Sequence, residues 1–150
     1  MKVPSRLYPP HYLVLSIASI VGINWLVPVP FVAAAFALIG GLLFLVIGLI
    51  LAASAARLFS KAKTGIVPFS ESTKLVISGA YRLTRNPMYL GMALVLASIA
   101  VFFNLLGGII LIALFCAYIT KFQIIPEERA MSDLFSDDFD KYTKETRRWI

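Results

Sequence analysis

The sequence predicts an all-α, polytopic membrane bundle: four transmembrane helices arranged as two hairpins, followed by a C-terminal amphipathic helix. Three observations lead there. Hydrophobic residues make up 59% of the 150-residue chain and its mean hydropathy is +0.84, well outside the soluble range. Every charge falls in one of three blocks: Lys2 and Arg6, Arg57 to Arg85, and Lys121 to Arg148. Between the blocks lie two charge-free runs, Tyr12 to Ala56 with 45 residues and Asn86 to Thr120 with 35. One span needs only about 20 residues, so each run accommodates two.

Breakers divide the runs. Asn24 to Pro30, NWLVPVP, joins a polar residue, an interfacial tryptophan and two prolines, and Asn104 to Gly108, NLLGG, plays the same part in the second run. The predicted spans are about 12–27, 31–59, 88–103 and 107–125, with a loop over 60–86 and a C-terminal segment over 126–150, all in one domain of residues 1–150. Lys2 and Arg6 before an apolar run resemble a signal peptide, but no small-residue cleavage site leads into a polar mature region, so the first span is expected to stay as an anchor. The second span carries Ala33, Ala37 and Gly41 at four-residue spacing, which lets helices approach closely in lipid, within one chain or between copies. The loop after it has turn residues at Gly65, Pro68 and Gly79 with apolar patches between them, which predicts a segment lying on the membrane surface.

The middle block holds six cations, Arg57, Lys61, Lys63, Lys74, Arg82 and Arg85, against Glu71 alone, and the N-terminus is also basic. The positive-inside rule then places both termini and the middle loop on the cytoplasmic side, which is the inner-membrane face if the source is bacterial.

The segment Tyr81 to Gly91, YRLTRNPMYLG, is where polar chain turns into apolar helix. Pro87 suits the first helical position, because its missing N–H has no intrahelical partner there, and Asn86 is then the expected N-cap. The free N–H groups of the new helix face the side that carries Arg82 and Arg85, a setting for an anion. The same residues also read as a membrane-entry motif, with cations at headgroup level and Tyr89 as an interfacial anchor.

The last hairpin adds carboxylates. Met88 to Phe103 rises and Ile109 to Ile124 returns, 16 residues each, so Pro126, Glu127 and Glu128 should come back beside Arg85. Each leg covers only about 24 Å of a roughly 30 Å hydrocarbon core, which puts the cluster below the headgroups in a recess open to the cytoplasm. Ionisable residues at that depth have a partner or a function. Here that is either an ion pair of Arg85 with Glu127 or Glu128 that ties the hairpin, or a ligand site. Beyond them, Met131, Leu134, Phe135, Phe139 and Tyr142 recur at three- and four-residue intervals, an amphipathic helix over the cytoplasmic mouth with Arg147, Arg148 and Trp149 as its interfacial end. Cys116 is the only cysteine and His11 the only histidine, so neither a disulfide within the chain nor a metal site is expected. No nucleic-acid partner is expected, and the oligomeric state is left open.

KLVISGAYRLTRNPMYLG, an uncharged hairpin, and then FQIIPEERAMSDLFSDDFDKYTKETRRWI resemble the integral-membrane methyltransferases that include isoprenylcysteine carboxyl methyltransferase and the phospholipid N-methyltransferases. The resemblance covers about Thr64 to Ile150. It implies S-adenosylmethionine as methyl donor, S-adenosylhomocysteine as product, and a lipidic or small apolar acceptor from the bilayer. Glu127, Glu128, Tyr81 and Tyr89 suit the donor's cationic groups, and Arg82, Arg85, Asn86 and the helix start at Pro87 suit its carboxylate. Gly91 closes the cofactor motif, and Arg85, Glu127 and Glu128 are the expected catalytic group. Two positions depart from the pattern: Asn86 stands where prenylcysteine-methylating members often have histidine, and Ser136 where a glycine is usual. A protonated lipid amine must first lose a proton, and the glutamates are expected to hold the cationic donor, which lowers their basicity, so an acceptor that is already anionic, an isoprenylcysteine-type carboxylate or a thiol, is expected ahead of a phospholipid amine. An NADPH-dependent reductase of the sterol type and a non-enzymatic membrane adaptor are the other classes.

Overall fold

The computed structural model describes residues 8–28, 33–62 and 74–150. Lys2 and Arg6, the Pro30 side of the first tip and most of the middle loop, including Lys63, Gly65, Pro68 and Glu71, lie outside the described residues. The described chain is all helical: α1 Pro9–Leu26, α2 Ala34–Ala62, a 3₁₀ turn Gly79–Arg82, α3 Pro87–Phe102, α4 Leu105–Ile119 and α5 Ile125–Glu145.

Local chemistry explains the ends. Prolines occupy the first turns of α1 and α3, where a missing N–H costs nothing. Asn104 caps α4 by accepting from the Gly107 N–H at 2.9 Å, and its amide donates to the Val27 carbonyl at 3.0 Å, which ties the end of α1 to this turn. The second tip is therefore only Phe103 and Asn104, and Leu105 to Gly108 form the first turn of α4. Gly79 has a φ of 59°, a left-handed conformation that suits glycine, and it opens the 3₁₀ turn.

Pro126 does not end the last span. A wide helical turn, Thr120–Ile124, joins α4 to α5, and the N–H of Ile125 reaches back to the Thr120 carbonyl. The next residue has no N–H to offer, and the widened turn absorbs the proline without breaking the rod. Leu105–Glu145 consequently runs on as one helical stretch. It bends instead at Ser136, whose φ of 39° and ψ of −113° are non-helical, so the expected amphipathic helix is two shorter ones.

α2 and α3 form the most extensive pairing. Their backbones meet where a Cβ on Gly91 would lie 2.7 Å from the Gly48 carbonyl oxygen, and Gly41 faces the ring of Phe102. Gly41 and Gly48 of α2 thus serve packing within the chain, whereas a Cβ on Gly40 would meet nothing within 4 Å and Ala33 is exposed just before the helix. α4 lies against α3, and α1 lies against both, with the Tyr12 and Tyr118 hydroxyls 2.7 Å apart. One apolar core gathers Ile20, Tyr89, Leu96, Phe115, Ile119 and Ile124, and a second gathers Ala55, Tyr81, Phe139 and Tyr142. Large apolar side chains such as Leu15, Phe36, Ile50 and Ile110 face outward. By length and composition, two stretches can cross a bilayer, Ala34–Ala62 and Leu105–Glu145, and Pro87–Phe102 is a shorter apolar helix.

Candidate functional site

The two cores meet around the start of α3 and the start of α5. Tyr89 belongs to the first and Tyr81 to the second, and the polar residues between them divide into two groups with different partners.

The first group is a frame around Glu128. Arg85 Nη2 lies 3.1 Å from Glu128 Oε1, and Arg148 Nη2 lies 2.6 Å from Oε2. Arg148 Nε donates to both oxygens, at 3.1 and 3.2 Å. Arg85 also donates from Nη1 to the carbonyls of Thr143 and Thr146, each at 3.1 Å, and its backbone N–H donates to the Arg147 carbonyl at 2.9 Å. The C-terminal tail is thereby laid along residues 84–86. The Thr84 hydroxyl and the Asn86 amide both donate to the Arg148 carbonyl at 3.0 Å. Charge-assisted contacts of this kind are the strong ones. Hydrogen bonding to Glu128 raises the pKa of Arg148 and keeps it cationic.

The second group surrounds Glu127. The Tyr89 hydroxyl donates to Glu127 Oε1 at 2.8 Å, and no cation pairs with this carboxylate among the described residues. Burial lifts its carboxyl from the ordinary 4.5 to about 7; the Tyr89 hydrogen bond opposes the rise and the charge of Glu128 adds to it. Burial, together with Tyr142 and Glu127, raises the Tyr81 phenol. Burial also pushes Tyr142 up to about 12, against the pull of Arg85, and its hydroxyl donates to the Tyr81 carbonyl at 2.6 Å. Two neighbouring glutamates thus stand in unlike states, one flanked by two guanidiniums and one by tyrosine and apolar walls.

The residues singled out from the sequence fall as follows. Arg85, Glu127, Glu128, Tyr81 and Tyr89 come together, and Pro87 is buried at the first position of α3. Asn86 occupies the N-cap position but makes no side-chain cap; its amide turns to the tail instead. Arg82 is exposed and forms no ion pair among the described residues. Gly91 faces Gly48 and Ala52 of α2, which makes it a helix contact in this fold. Arg148 and Trp149 enter the site region, where an interfacial end was expected: the Trp149 indole donates to Thr120 Oγ1 at 3.1 Å. The terminal R-R-W was a visible signal, but its partners are donors on residues 84–86, the Thr120 hydroxyl and a glutamate 20 residues back, which no local pattern marks.

No curated protein and no solved structure shows a significant match. A family model described as phospholipid methyltransferase matches residues 36–138, which takes in all but the first two residues of α2, the Arg85 to Tyr89 segment, Glu127, Glu128 and the Ser136 bend. That match covers 103 of the 150 residues, and on its strength, with the helix-start and glutamate geometry inside it, the chain belongs to the phospholipid methyltransferase family.

Proposed function

We propose that this protein transfers a methyl group from S-adenosylmethionine to a lipidic or small apolar acceptor that reaches the site from the bilayer. The observation that carries the reading is Glu127, a half-buried carboxylate with a tyrosine hydroxyl on one oxygen and no cation beside it among the described residues. Such a group favours a cationic ligand, which would restore its charge. The donor fits: Glu127, Tyr81 and Tyr89 meet its positive groups, while the unpartnered, buried Nε of Arg85 and the N-terminus of α3 offer donors to its carboxylate. S-adenosylmethionine supplies an activated methyl on sulfur for in-line displacement. The protein's part is to orient the reactants, neutralise the ligand's charge at Glu127 and keep water out. Arg85, Glu128 and Arg148 hold that arrangement rigid.

With Glu128 committed to two arginines, Glu127 alone remains to face the donor. An acceptor that is already nucleophilic, an isoprenylcysteine-type carboxylate or a thiol, then needs no further base. One observation favours a second reading: a carboxyl near pH 7 is suited to take a proton from a phospholipid ammonium. All of residues 1–150 form one unit in this proposal, with α1 to α4 as spans and the polar ends facing the cytoplasm.

Radiolabelled S-adenosylmethionine, given to membranes with and without the protein, tests this. Label in base-labile methyl esters or thioethers supports the first acceptor reading, and label in mono- or dimethylated phosphatidylethanolamine supports the second. No transferred label, with NADPH rather than S-adenosylhomocysteine protecting the purified protein from heat, overturns the methyltransferase reading.

A further inference from the structure

Gln123 is 4% exposed, and its Oε1 is buried without a hydrogen-bond partner. A buried amide oxygen left unpaired forfeits the hydrogen bond it had to water, so native chains rarely keep one without a use. Its place is specific. Phe115, Ile119, Gln123 and Glu127 follow at four-residue intervals, and the first three are buried. Phe115 and Ile119 share a core with Tyr89, whose hydroxyl reaches Glu127, and Gln123 lies about one turn from both Ile119 and Glu127. The widened turn Thr120–Ile124 carries it, and turns of that type recur at functional sites. The turn is held from outside by the Trp149 indole on Thr120, whose hydroxyl in turn donates to the Cys116 carbonyl at 2.7 Å.

We infer that Gln123 is a second ligand-binding residue of this site, whose amide oxygen accepts from an N–H of an ammonium group held beside Glu127. A carboxylate and an amide oxygen one turn apart, in apolar walls, offer a hydrogen-bonding ammonium two acceptors. A sulfonium carries no N–H and gives Gln123 nothing to accept. The ammonium comes either from the amino-acid end of the methyl donor or from an aminoethyl lipid head. The inference rests on the proposed donor reading only in the first of these cases.

The test uses the full chain in detergent, wild type against Gln123→Met, which keeps length and removes the acceptor. Binding of S-adenosylhomocysteine is compared with that of 5′-methylthioadenosine, which lacks the ammonium, and binding of an ethanolamine-headed lipid with that of a choline-headed lipid, which has no N–H. A roughly tenfold loss confined to S-adenosylhomocysteine, or confined to the ethanolamine lipid, is the expected result and identifies the source. Gln123→Glu, which restores an acceptor, should recover the affected ligand. Equal loss for 5′-methylthioadenosine would assign Gln123 to the nucleoside and overturn the ammonium assignment. Unchanged binding of every ligand would overturn it too, whether or not the melting temperature falls. Wild-type protein that binds neither nucleoside would defeat the donor reading, and the lipid pair would still decide Gln123.

Discussion

The Tyr89 hydroxyl donates a 2.8 Å hydrogen bond to Glu127 Oε1, 38 residues further along the chain. It joins the first turn of α3 to the first turn of α5. Because that bond favours the charged carboxylate while burial opposes it, the pair sets the proton affinity of the site. Tyr89→Phe removes the favourable part, so the acid limb of the methyl-transfer pH profile should move to higher pH, and Glu127→Gln should abolish that limb.

The same carboxyl gives a pH-dependent stability with a definite sign. Its pKa is about 7 in the fold against 4.5 ordinarily. Below 4.5 both folded and unfolded chains hold the proton, and Glu127 costs nothing. Between 4.5 and 7 the unfolded chain releases it first, so the ligand-free protein loses stability, and above 7 the loss is complete. Melting curves of the wild type should decline across that window, and those of Glu127→Gln should decline less. A cation bound at Glu127 reverses the trend for binding: affinity for S-adenosylmethionine should rise by about tenfold from pH 6 to pH 8, with proton release.

Arg85 and Arg148 both pair with Glu128 but differ in exposure, with side chains 13% and 38% exposed. Arg85→Ala leaves two tail carbonyls without their donor and a shielded carboxylate with Arg148 as its remaining cation, and should cost about 3 kcal/mol. Arg148→Ala removes a more solvated partner and should cost no more than about 1 kcal/mol. Thermal unfolding in detergent separates the two. Equal effects would mean that the tail contacts of Arg85 contribute little.

Ser136 holds a positive φ at the bend of α5, a region where a side chain is strained and glycine is not. Ser136→Gly should raise stability by about 1 kcal/mol, and Ser136→Ala should not. The melting temperatures of the two variants check this directly.

Gly91 meets the Gly48 carbonyl and the Ala52 backbone N and Cβ on α2. No flexible side-chain end can yield there, so Gly91→Ala should force the helices apart and cost about 1–3 kcal/mol. If the variant melts normally yet loses S-adenosylhomocysteine binding, Gly91 acts in the site and the packing account fails.

The sequence by itself determined the helical class, the apolar runs, the helix start at Pro87 and the return of Glu127 and Glu128 to the level of Arg85. Those features depend on hydropathy, on proline and on the rise of a helix, all of which are local. It also marked position 136 as unusual, through the serine in a glycine's place. Only the tertiary structure separated the two glutamates, because their difference comes from Arg148 and Tyr89, which reach them from opposite directions in the chain. It alone carried the helix through Pro126, since a widened turn is a compromise between a missing N–H and the packing on either side. It alone brought the tail against residues 84–86, where the acceptors for Arg85, Thr84 and Asn86 are backbone carbonyls. Every residue carries such a carbonyl, so side-chain identity holds no trace of which one will be used.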